Sequence, residues 1–341
     1  MAANGKFPPA KGQSMRRREF IAIAGGAAAA WPLAARAQQP KRVAALINST
    51  SDDAIYQANV AEFQRSLRSL GWVEGKNLQL DIRWGGLDPE IEHRHAVELA
   101  ALTPDVILAT GTAGLATMQR ATKTIPIVFV QVSDPVAQGF VTNIAHPGGN
   151  TTGFAAYVSS FGGKWLDLLK QMAPKLKQAT VMINPETAPQ SKLFLGAVEA
   201  GGQSMGVEVK AALLHGEGDI EPTMARASQQ SNAGLVFLPD NFTLAHASMI
   251  TQLAAQHRLP AIYAERAFVD AGGLMRYSIN FAEQFRQAGI YVDRILRGAA
   301  AGDLAIQFPT KYILSINLTT ARALDIDVPM GLLLLADEQI E

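Results

Sequence analysis

Gly111-Thr112 interrupts the stretch 106–118, where an apolar run gives way at once to a helix-like one. Such a junction leaves the N–H groups of a first helical turn unpaired, and the helix dipole there favours an anion. Glycine lets a ligand approach the backbone, and Thr112 can either cap the helix or hydrogen-bond a bound group. A nucleotide phosphate, another anion or a plain helix cap would all fit the pair taken alone. Other polar residues stand at comparable strand ends. Ser49, Thr50 and Ser51 follow the first apolar run, Ser133 and Asp134 the fourth, and Asn184 and Glu186 close the run at 179–183. Asp240-Asn241 follows "LVFLP", and Asp240 is the expected partner for a ligand amine. Such a charge-assisted pair in a dry cleft is worth about 1.5–3 kcal/mol. Tyr263 is the aromatic residue expected to pack on an aromatic or aliphatic ligand, with Phe242, Tyr157 and Trp84 as further possibilities. Each of these residues could equally cap a helix or fill a core.

Catalytic chemistry finds little purchase. The chain has no cysteine, which removes thiol nucleophiles, zinc-thiolate sites, iron–sulfur clusters and disulfides. His93 and His95 are two apart and would point to different faces of a helix, so they make a poor metal pair. No Gly-x-Ser-x-Gly elbow occurs. A dinucleotide loop needs spaced glycines after its first strand, but the loop here is Ser49-Thr50-Ser51-Asp52. No catalytic residue, cofactor or metal is therefore expected. With 30 basic against 30 acidic side chains the net charge is zero, and no basic stripe calls for nucleic acid.

These residues need elements to position them. In "RVAALIN", "NLQLDIRW", "DVILAT" and "IPIVFVQV" short apolar runs alternate with helical stretches, one of them carrying Val60, Phe63, Leu67 and Leu70 on a single face. Continuous apolar strands between helices imply a parallel sheet covered on both sides. The theme then restarts: "AGLVFLPDN" mirrors "DVILATGT", and "LPAIYAE" mirrors "IPIVFVQ". We expect an α/β protein of two doubly wound parallel-sheet lobes. One spans 41–153 plus 279–304 and the other 154–278 plus 305–341, joined by a multi-strand hinge. Residues 148–157 read as the first crossing between them. Ligands in such sheets bind beyond the carboxyl ends of the strands, so the strand-end residues of both lobes should face one cleft.

Residues 1–37 read as an address. Arg16-Arg17-Arg18 precede a weakly apolar run, and Ala35-Arg36-Ala37 offers the small residues a signal peptidase reads, so cleavage is expected before Gln38. Paired arginines followed by Glu19-Phe20-Ile21 resemble a twin-arginine export signal. Residues 1–13 read as a start-site extension, with Met15 as the alternative first residue. The expected location is the bacterial periplasm.

Taken in order, "GWVEGKNLQLDIRW", "PDVILATGTAGLATMQRATKTIPIVFVQVSDPVAQGFV", "HPGGNTTGF", "GGKWLDLLKQMAP", "NPETAP", "LPDNFT", "GGLMRYSINFAEQFRQAGIYVDRIL" and "ADEQIE" resemble the periplasmic substrate-binding proteins of ABC importers, in the group related to tryptophan- and phenylalanine-binding components. The resemblance covers about residues 40–341. It implies a type I periplasmic-binding fold, a small-molecule solute in the cleft, and an ABC permease and ATPase complex in the inner membrane as partner. Relatives that take aromatic amino acids often carry Ser-Asp where this chain has Phe154-Ala155-Ala156-Tyr157. The solute thus stays open between amino acids, aromatic acids and other small carboxylates. An exported cofactor-dependent α/β enzyme and a ligand sensor docking to a membrane receptor are the alternatives.

Overall fold

The computed structural model describes Met1 and residues 40–341, except Leu87. The arginine-led leader and its cleavage site lie outside the described residues. Among these, no helix is long and apolar enough to cross a membrane.

In the first half, five strands alternate with helices: Lys41–Ile47 (β1), Ala54–Ser69 (α1), Leu78–Trp84 (β2), Pro89–Ala101 (α2), Val106–Thr110 (β3), Gly111–Ala121 (α3), Ile127–Val132 (β4) and Thr151–Ala155 (β5). Helix starts follow local chemistry. Asp53 and Asp88 each accept two first-turn N–H groups of α1 and α2, and Pro89 stands where a missing N–H does no harm. The strands pair in parallel in the order β2-β1-β3-β4-β5. Buried on both faces, β3 and β5 carry no exposed residue.

The second half repeats the plan. Its elements are Phe161–Met172 (α4), Gln178–Ile183 (β6), Ser191–Met205 (α5), Glu208–Leu213 (β7), Ile220–Ser228 (α6), Ala233–Phe237 (β8), Asn241–Ala245 (α7), Ala247–Gln256 (α8), Ala261–Tyr263 (β9), Arg266–Asp270 (α9) and Met275–Ile279 (β10). Strands β7-β6-β8-β9-β10 lie in the same relative order as β2-β1-β3-β4-β5, all parallel. The two-lobed α/β architecture read from the sequence is present. Phe281–Leu296 (α10) then returns to lie along α1 in the first lobe. Its buried Phe285, Ala288 and Val292 join the core formed by β1, β3 and α1. The chain ends in the second lobe with Tyr312–Asn317 (β11), Leu318–Ala323 (α11), Met330–Leu335 (α12) and Glu338–Ile340 (β12). Strand β11 is antiparallel to β10 and parallel to β12.

One expectation changes. Residues 148–157 supply a fifth strand before the chain crosses at 156–160. The Gly- and Thr-rich composition that suggests a loop serves a close approach instead. Gly153 has φ +151°, and a Cβ there would stand 2.1 Å from the Phe129 carbonyl oxygen. Only glycine lets β5 pass β4 at that distance. Three segments run between the lobes: 156–160, 279–281 and 304–311. The end of β5 is tied to the third, since Ala155 N–H donates to Gln307 O (2.9 Å), and the first is tied to the loop after β4, since Asp134 N–H donates to Tyr157 O (2.8 Å) and Ser159 N–H to the Asp134 carboxylate (3.0 Å).

Candidate ligand-binding site

Strand ends of both lobes meet across a cleft with two connected chambers. The inner one, about 50 Å³, is lined from the first lobe by Gly111, Thr112, Ala113 and Ser133, and from the second by Thr187, Gln190, Asp240 and Glu265, among others. The outer one, about 390 Å³, is lined by Ser49, Thr50, Asp53 and Asn59 on one side and Leu244, Ala245 and Arg266 on the other. Tyr56, Gln131, Leu244, Glu265 and Phe281 border both. The site thus sits at the β1/β3 switch point of the first sheet, where this strand order places ligands.

The inner chamber is electrically asymmetric. On the first-lobe side, α3 begins with no side chain capping its first turn, because the Thr110 hydroxyl accepts Asn48 N–H instead (2.8 Å). Gly111 adopts φ +75°, which turns the chain from strand to helix in one residue. Thr112 Oγ1 accepts Ser133 N–H (3.3 Å), and its own proton remains to donate. This wall offers hydrogen-bond donors and the positive end of an 11-residue helix.

The opposite wall offers acceptors. Glu265 follows β9, and the protein ringed around it pushes its pKa up to about 8. Desolvation is the main cause; the charge of Asp53 adds to it and that of Arg276 opposes it. The oxygen Gln190 Oε1 is buried and finds no partner among the described residues, while its Nε2 donates to Pro239 O (2.9 Å). Asp240 is 5% exposed. Burial raises its pKa, partly offset by hydrogen bonds from Thr187, Asn184 and Phe242. Its carboxylate accepts Asn184 N–H (2.8 Å), Phe242 N–H (2.9 Å) and the Thr187 hydroxyl, so it ties the loop after β6 to the start of α7. Most of its acceptor capacity is thereby used within the chain. No lysine or arginine lines the inner chamber among the described residues.

Seven of the residues expected from the sequence line this cleft: Ser49, Thr50, Gly111, Thr112, Ser133, Asp240 and Asn241. Five do not line either chamber. Ser51 and Glu186 are exposed on their loops. Asn184 caps its own turn by accepting Glu186 N–H (2.9 Å). Asp134 holds the first crossing through Ser159. Tyr263 is wholly buried, stacked on Phe237 and Phe268 in the second-lobe core. Residues missed by the sequence reading include Tyr56, Asn59, Gln131, Gln190, Glu265 and Phe281. Glu265 carried a usable signal: it lies just past β9, the counterpart of Ser133-Asp134 past β4.

Comparison with known proteins comes from three directions. The family described as ABC transporter substrate binding protein matches residues 43–340. A tyrosine-binding protein of Clostridioides difficile is 26% identical over 264 residues, covering 77% of this chain and 75% of that protein. Among solved structures, a conserved domain protein from Vibrio cholerae is 27% identical with a TM-score of 0.81, over 88% of this chain and 100% of that one. An ABC domain in complex with L-Trp from Streptococcus pneumonia is 19% identical with a TM-score of 0.79, over 89% of this chain and 100% of that one. That last likeness is one of fold.

Proposed function

The chain belongs to the ABC transporter substrate-binding protein family, and on that premise we propose that it captures an amino acid between its lobes and hands it unchanged to a permease and ATPase complex in the inner membrane. The observation that carries the choice of solute is the polarity of the inner chamber. A donor wall on α3 faces an acceptor wall of Glu265 and Gln190 across a space with no basic side chain. A zwitterion complements both. Its carboxylate accepts from the backbone of Gly111–Ala113 and from Thr112, and its ammonium donates to Glu265, Gln190 Oε1 and the remaining lone pair of Asp240. Size agrees: at about 10–15 Å³ of such volume per water-sized group, 50 Å³ holds about three to five. That suffices for an α-carbon with its two charged substituents. The side chain then extends into the outer chamber, past Ser49, Thr50 and Phe281. The names of the relatives, which take tyrosine or hold L-Trp, support the same class.

Calorimetry with a panel of L-amino acids and their des-amino and des-carboxy analogues tests this. Removing either charged group should weaken binding by about tenfold or more, the loss of one charge-assisted hydrogen bond. Glu265→Gln should do the same for the amino acid while leaving the des-amino analogue unaffected. An analogue lacking its amine that binds as tightly as the amino acid would sink the assignment.

Export completes the proposal. The arginine-led segment directs the chain out of the cytoplasm and is removed before Gln38, so the protein works in the periplasm. N-terminal sequencing of the exported protein checks this, and a chain still beginning at Met1 or Met15 would contradict it.

A further inference from the structure

Two side chains that line the outer chamber carry buried polar atoms left unpaired among the described residues. Asn59 is 4% exposed on α1, and its Nδ2 has no hydrogen-bond partner among the described residues. The buried Gln131 Oε1 is likewise unpartnered. Both side chains line the same cavity. Native proteins pair nearly all such groups, and an unpaired donor and an unpaired acceptor on side chains that border one cavity are complementary to one guest.

The placement of Gln131 is built, not incidental. It adopts φ +61°, a conformation rare for a residue with a Cβ. Its N–H donates to Gln284 Oε1 (3.0 Å), and Gln284 Nε2 in turn donates to Ala155 O (2.7 Å). Gln284 is thus a positioning residue that holds Gln131 at the lip shared by both chambers. Asn59 stands one turn beyond Tyr56 on the same face of α1.

The remaining wall narrows the guest. Asp53 is committed to capping: Oδ1 accepts Ile55 and Tyr56 N–H groups, and Oδ2 accepts the Ser49 hydroxyl. A cationic side chain would leave the Asn59 donor unanswered. An anionic one would face Asp53 and Glu265, would find Arg266 already bonded to Asp270 (3.3 Å) and Glu338 (3.2 Å), and would leave Gln131 Oε1 unanswered. Leu244, Ala245 and Phe281 supply apolar wall between these points.

We propose that the outer chamber selects amino acids whose side chain ends in a neutral group able both to accept and to donate a hydrogen bond, such as a hydroxyl or a carboxamide, with Asn59 and Gln131 as the residues that read it. This rests on the amino-acid reading of the inner chamber. A site built around such groups rejects an analogue that lacks the polar end, because its own buried atoms are then left unpaired.

The test is a set of matched pairs titrated into the full mature protein: tyrosine against phenylalanine, and glutamine against methionine. The polar member of whichever pair binds should be favoured by about tenfold or more. In Asn59→Leu the preference should fall to about twofold or less, with the fold at least as resistant to urea, since a buried unpaired donor has been removed. Gln131→Leu should likewise reduce the preference for the polar member, since it removes the acceptor that reads the polar end. If amino acids bind and the apolar member of a pair matches or beats its polar partner, the inference is wrong and the inner-chamber reading stands. If no amino acid binds at all, both are wrong.

Discussion

At the scale of single residues, the cleft separates two carboxylates that look alike in sequence. Asp240 sits beside a helix start and spends its oxygens on Asn184, Phe242 and Thr187. Glu265 makes no such bonds among the described residues and meets Asp53 across the cleft, so burial and that charge leave it at about 8 instead of the usual 4.5. The sign of the linkage is set by which state holds the proton. Between pH 4.5 and 8 the unfolded chain is ionised at this position while the folded, ligand-free protein keeps its proton. Its contribution to stability therefore declines as pH rises through that window. An ammonium arriving at Glu265 reverses the balance and expels the proton. At pH 7, binding of an amino acid should release close to one proton, read as a dependence of calorimetric enthalpy on buffer ionisation heat. Glu265→Gln should abolish that dependence. Equal enthalpies across buffers for the unaltered protein would show that Glu265 does not meet the ligand cation.

Elements show how much of this was legible beforehand. Strand and helix alternation, the repeated plan and the Gly111-Thr112 junction follow from local patterns, because apolar periodicity and turn chemistry act over a few residues. The site was only partly readable for a physical reason. Ser49 and Ser51 are two apart, yet Ser51 is on the surface and Ser49 in the cleft, and Asp53, not the serines, caps α1. Tyr263 and Glu265 are two apart at the end of β9, and only the backbone path decides which enters the core and which faces the cleft. Strand β12 was also not foreseen, since "ADEQIE" is polar. It is held by long-range chemistry: Glu338 accepts from the buried Arg276 (3.0 Å) and from the Ser315 hydroxyl (2.6 Å). Burial alone would raise the pKa of Glu338, but Ser315, Arg276 and Arg266 outweigh it and bring the group to about 2. With a folded value below the usual 4.5, its contribution is present above that pH and lost as pH falls toward 2. Urea midpoints should therefore drop between pH 5 and 2.5 in the unaltered protein. The drop should be shallower in Glu338→Gln, which should start about 2 kcal/mol lower at pH 6 because Arg276 loses a charged hydrogen-bond partner. Parallel pH profiles for the two proteins would show that the pair does not couple the last strand to the fold.

For the whole molecule, the decisive feature is that both chambers take their walls from two lobes joined by three short crossings. A solute that touches both lobes favours the closed arrangement by as much as it binds that arrangement better than the open one. The inner chamber, at about 50 Å³, leaves room for little more than the head group of an amino acid between the lobes, as a closed arrangement requires. Two observables follow. The radius of gyration of the ligand-free mature protein in solution should exceed that calculated from the structure and fall to it when a cognate amino acid is added. At a ligand concentration of 100 times Kd the native state gains about 2.7 kcal/mol, which at roughly 2 °C per kcal/mol for a chain of this size is a rise in Tm of about 5 °C. The two should appear together and for the same solutes, since one contact set drives both. A solute that raises Tm without contracting the molecule would be bound to one lobe alone, and the cleft would then not be a clamp.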